Sequence, residues 1–86
     1  MDIKAERDKL LDLHDQLRGA PRNRGAVLWG SMDVLHRIRQ KLPPEDGYAS
    51  EKLAIVKGIF DDRQPRRSWE EERRDLVSAL DALEER

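Results

Sequence analysis

The chain has 86 residues, of which 17 are Lys or Arg and 18 are Asp or Glu, and its formal net charge is −1. The length favours one domain over residues 1–86, and the lack of cysteine excludes disulfides, thiolate metal sites and cysteine nucleophiles together. No run approaches the ~18 apolar residues of a membrane span, and the charged start "MDIKAERDKL" has no apolar signal region. A cytoplasmic protein without a membrane partner is therefore expected.

Ile3, Leu10, Leu13 and Leu17 lie on one stripe at spacings of seven, three and four. That pattern predicts a first helix over about 3–18. Gly19 is read as its C-terminal cap, with Pro21 following. Lys4 with Asp8 and Glu6 with Lys9 have the spacing of helix-surface pairs. His14 is read as a boundary residue beside Leu11.

A second helix is predicted over about 24–42, with Asn23 as N-cap and Pro43-Pro44 as its stop. Its apolar face is broad. Val27, Val34 and Ile38 line one edge, Leu28, Leu35 and Leu42 the next, and Met32 lies further round. A stripe this wide predicts contact with more than one neighbour. Gly25 and Gly30 either permit close helix approach or loosen the first turns.

A third helix is predicted over about 50–62, with Ser50 as N-cap, Leu53, Val56, Ile59 and Phe60 as core face and Ile55 at the edge. The fourth, over about 68–86, opens with Ser68 and Glu71 at capping-box spacing and continues through Leu76, Val77, Leu80 and Leu83. No alternating β pattern occurs. The expected fold is all-α, a small four-helix domain, most simply an antiparallel up-down-up-down bundle, with a less regular orthogonal packing as the alternative.

In an antiparallel bundle the first and third connectors share an end. "RGAPRNRG" and "DDRQPRRSW" then bring Arg18, Arg22 and Arg24 near Arg63, Arg66 and Arg67. The opposite end gathers Asp2, Glu6, Asp81, Glu84 and Glu85. Arg18 and Arg63 are explained by the favourable field at a helix C-terminus, and charged turns also keep a small protein soluble. Arg22, Arg24, Arg66 and Arg67 stand near helix starts, where positive charge is disfavoured.

The tryptophans belong to the same end. A tryptophan in so small a domain is ordinarily part of the core, and that is the first expectation for both. Trp69 opens the fourth helix, separated by "EEERRD" from Leu76, so it either folds back over the core or is exposed. Trp29 sits beyond the edge of the second helix's stripe, on the ridge of His36 beside Met32. Tryptophan and arginine are also the residues enriched at binding hot spots.

No catalytic or cofactor pattern is found. His14 and His36 are the only histidines, His36 has helical spacing to Asp33, and neither a zinc motif nor a phosphate loop is present. No catalytic, cofactor-binding or metal-ligating residue is therefore expected. The long double-proline connector after the second helix does not fit a helix-turn-helix. The expected function is a non-enzymatic protein-binding module. It would be a small adaptor, regulator or inhibitor of the kind common in bacteria and their phages, acting by occupying a partner protein's acidic surface. Its expected contact residues are Arg22, Arg24, Trp29, Arg63, Arg66, Arg67 and Trp69. The alternative is nucleic-acid binding, with the same arginines on phosphates and the tryptophans stacked on unpaired bases. Self-association as a homodimer accompanies either reading, because the domain is small and the second helix's stripe broad.

Overall fold

Cap and turn residues set the limits of four helices in the computed structural model, which describes residues 1–19, 22–61, 63 and 67–86. They are α1 (Lys4–Gln16), α2 (Arg24–Lys41), α3 (Gly47–Ile59) and α4 (Trp69–Glu84). The described residues contain no strand, so the all-α class holds. No described helix is long and apolar enough to cross a membrane.

Leu17 is the C-cap of α1, and Gly19 follows with φ of 85°. That left-handed backbone is where glycine carries no Cβ penalty, which accounts for Gly19 in the turn. Ser68 caps α4 as expected: the Glu71 amide donates to its hydroxyl at 3.1 Å. Asn23 occupies the N-cap position of α2 but makes no side-chain cap bond.

The start of α3 differs from expectation. Asp46, not Ser50, is the N-cap, and its carboxylate accepts the Ala49 amide at 3.0 Å. The double proline leads into a turn closed by the Asp46 amide on the Pro43 carbonyl. An aspartate at that point is as good a cap as a serine and comes a full turn earlier. Ser50 is thereby freed to accept from Arg39 at 2.9 Å. α3 also ends sooner, at Ile59, with Phe60 as its C-cap; the expected end at Asp62 lies outside the described residues.

The core follows the expected stripes. Ile3, Leu10, Leu13 and Leu17 meet Val27, Val34, Ile38 and Leu42, and both groups meet Val56, Ile59 and Phe60 of the α3 segment and Leu76, Ala79, Leu80 and Leu83 of α4. α1 packs mainly on α2 and α3 mainly on α4, with lighter contacts joining the two pairs. At Gly30 a Cβ would lie 3.5 Å from Leu13 of α1, an ordinary van der Waals contact. Gly25 has no such neighbour. The radius of gyration, 12.3 Å, is close to the ~12 Å of a folded chain of this length.

The chain's two ends lie close together, as an antiparallel bundle would place them. The Met1 ammonium donates to the Glu84 carbonyl at 2.9 Å, and Arg86 forks onto the Asp46 carboxylate at 2.8 and 2.9 Å. Some of the acidic residues expected here are answered by cations: Arg7 pairs with Asp81 at 2.6 Å and Lys41 with Glu6 at 2.7 Å. Glu6 therefore turns across to α2 instead of along α1 to Lys9. The Lys41 ammonium holds its carboxyl below the ordinary carboxylate range.

Candidate functional site

At the opposite end, residues flanking the first and third connectors come together as expected. Leu17, Gly19 and Arg24 share a small cavity of about 130 Å³ with Ile59, Arg67 and Trp69. Arg22 is exposed. Arg66 lies outside the described residues.

Trp69 is placed by the start of α4 and folds back over the core. Its ring stacks on the His14 imidazole, with centroids 4.8 Å apart and planes 10° from parallel. Its Nε1 donates to the His14 carbonyl at 2.8 Å. That carbonyl lies in the last turn of α1 and also accepts the Leu17 amide at 3.0 Å. The guanidinium carbons of Arg18 and Arg73 lie 4.7 and 5.3 Å from the indole centroid, within cation–π range. Arg73 also donates to the Leu11 carbonyl at 2.9 Å and pairs with Asp15 at 3.2 Å.

His14 is fully buried, not at the boundary. It meets Phe60 edge-on at 6.2 Å as well as Trp69. The physical reason is that α4 brings Trp69 onto the α1 surface at this turn. Its Nδ1 lies 3.5 Å from Arg73 Nη1 and its Nε2 3.5 Å from Glu72 Oε1. The second separation is too long for a well-formed hydrogen bond, and Nε2 has no partner among the described residues. Burial holds the imidazole below its ordinary pKa, while Glu72 pulls in the other direction.

Arg67 and Arg63 are engaged within the fold. Arg67 pairs with Asp75 at 2.6 Å. Arg63 closes a local turn, with its amide 2.9 Å and its Nε 3.1 Å from Asp61 Oδ1. The basic end is thus largely knitted into the protein's own carboxylates and aromatic rings.

Trp29 corrects the expectation of a core tryptophan. It is 73% exposed, and Met32, one turn on, is 60% exposed. The reason is helical geometry. Val27, Val34 and Ile38 direct one side of α2 into the core, and Trp29 lies on nearly the opposite side. Asp33 pairs with Arg37 at 3.3 Å instead of with His36.

The exposed ridge borders a groove that the sequence marked only by the breadth of the α2 stripe. Met32, Leu35 and Arg39 form one wall; Ser50, Leu53, Ala54 and Lys57 form the other. The groove has a volume of about 480 Å³. A larger depression, about 780 Å³, lies on α4 residues alone and so has no facing wall. Among the described residues no group of three or more His, Asp or Glu side chains could hold a metal ion.

Comparison of the chain with protein-family models, with curated proteins and with solved structures finds no match.

Proposed function

We propose that this protein is a non-enzymatic protein-binding module that acts by occupying a partner protein's surface, with Trp29 as the anchor. The supporting observation is the exposure of Trp29 beside Met32 in a chain whose other large side chains mostly line one core. A tryptophan hidden in a partner's pocket removes roughly 150–250 Å² of surface from water. At roughly 25 cal/mol per Å², that is a substantial share of a binding free energy. Arg22 and Arg24 stand at the start of the same helix and supply charge for partner carboxylates. Arg63 and Arg67 lie at the same end but are engaged by Asp61 and Asp75, and Trp69 supports that end from within.

The test compares Trp29→Ala with Trp69→Phe in binding to a partner isolated with the wild-type protein and then purified. Trp29→Ala should weaken binding at least about tenfold, as expected of a hot-spot residue. Trp69→Phe should leave it nearly intact. Equal binding by Trp29→Ala and wild type would overturn the reading. So would a partner that is nucleic acid, recognised by a steep fall of affinity with salt. Concentration-dependent sedimentation that Trp29→Ala abolishes would reassign the anchor to a second copy of the chain.

A further inference from the structure

We infer that the groove between α2 and α3 receives an acidic amphipathic helix of the partner protein, an inference that rests on the protein-binding reading. The floor supplies the apolar half of the argument. Leu35 and Leu53 are half-buried and packed on the core, so the floor is rigidly backed. Met32 forms an exposed and adaptable wall.

Charge supplies the other half. Arg39 and Lys57 line the groove, and among the described residues no carboxylate does. The chain carries 18 acidic residues, and several of them pair with its arginines. Asp81 takes Arg7, Asp33 takes Arg37, Asp75 takes Arg67 and Asp46 takes Arg86. Arg39 instead donates to the Ser50 hydroxyl and pairs with no carboxylate among the described residues. A cationic rim over an apolar floor complements a helix with an apolar stripe flanked by Asp or Glu.

The same charges argue against a symmetric second copy. A two-fold contact centred on this groove would set Arg39 and Lys57 against their own counterparts. The length of the groove defines the spacing it reads. Met32 and Arg39, like Ser50 and Lys57, stand seven positions apart, about 10 Å or two helical turns. Arg39 holds the Ser50 end, and Lys57 lies two turns further along α3. The occupant therefore carries acidic residues about two turns apart, with apolar residues between them. Trp29, one turn before Met32, reaches beyond the end of the groove.

The probe is a synthetic fluorescent peptide with leucines on one helical face and glutamates flanking them, followed by anisotropy. Its counterparts replace glutamate by lysine, or leucine by serine. The acidic amphipathic peptide should bind at least about tenfold more tightly than either counterpart. The Arg39→Glu/Lys57→Glu protein should prefer the lysine peptide. The milder Arg39→Gln/Lys57→Gln protein should lose the preference without reversing it. Circular dichroism and thermal melts establish that both variants fold. Equal binding of the acidic and lysine peptides, or a preference unchanged by the charge reversal, would overturn the inference. Tight binding of the serine peptide would also overturn it, because the apolar floor would then play no part. Displacement of the acidic peptide by a single-stranded oligonucleotide would assign the groove to phosphate and overturn it as well. Failure here leaves the protein-binding reading to be judged separately, by Trp29→Ala against the intact partner.

Discussion

The two tryptophans show how one residue type is put to opposite uses. Trp69 is held by a stacked imidazole, a backbone carbonyl and two guanidinium groups. Trp29 is surrounded mainly by water. Trp69→Ala should lower stability in urea unfolding by about 3 kcal/mol, the scale of a large aromatic truncation. Trp29→Ala should stay within about 0.5 kcal/mol, as for a surface substitution.

His14 adds a pH dependence. Its folded pKa lies below the ordinary histidine value of 6.5. The unfolded chain therefore takes up this proton at a higher pH than the native protein. Stability from His14 is complete above about pH 6.5 and is lost as pH falls through the lower folded value. His14→Phe should remove that component from stability measured against pH. Glu72→Gln should lower the His14 pKa further, read by the imidazole NMR shift, because it removes the neighbour that favours the charged form. The burial of His14 was partly legible. It stands four residues after Leu10 and three before Leu17, on the core stripe. Its polarity points to the boundary, and the groups that cover it, Phe60 and Trp69, are remote in sequence.

At the level of the helices, local chemistry was legible where one residue type decides the geometry. Ser68 and Gly19 are such cases. The start of α3 was not, because Asp46 and Ser50 are both competent caps one turn apart and only the turn after Pro43 selects between them. Ser68→Ala should destabilise the protein by about 1 kcal/mol in chemical unfolding. Asp46→Ser keeps a cap and loses the Arg86 fork, so it should melt above Asp46→Ala and below wild type. Gly25 and Gly58 lie in helices with open space where a Cβ would go. Alanine at either should raise stability by about 0.5–1 kcal/mol. Gly30→Ala should gain a similar amount, because its Cβ would sit in ordinary contact with Leu13.

For the molecule as a whole, the all-α class was carried by helical periodicity, and the meeting of Arg24 with Arg67 and Trp69 by connector length. The state of the basic end was not legible. Whether an arginine is offered outward depends on which carboxylate lies within reach across the fold, as Asp75 does for Arg67 and Asp15 for Arg73. The α2–α3 groove was hidden for a related reason: its two walls come from different helices, and only the breadth of the α2 stripe announced it. The exposed ion pairs that join the ends of the chain contribute little individually. Raising the salt concentration should therefore leave the melting temperature nearly unchanged, since the apolar core dominates stability.

The most direct test is iodide quenching of tryptophan fluorescence in two single-tryptophan proteins. Trp69→Phe leaves Trp29 as the only emitter, and Trp29→Phe leaves Trp69. The account predicts red-shifted, readily quenched emission from Trp29 and blue-shifted, protected emission from Trp69, at every dilution. Blue-shifted, protected emission from Trp29 in the dilute folded monomer would contradict it, because the proposed anchor would then be buried before any partner arrives.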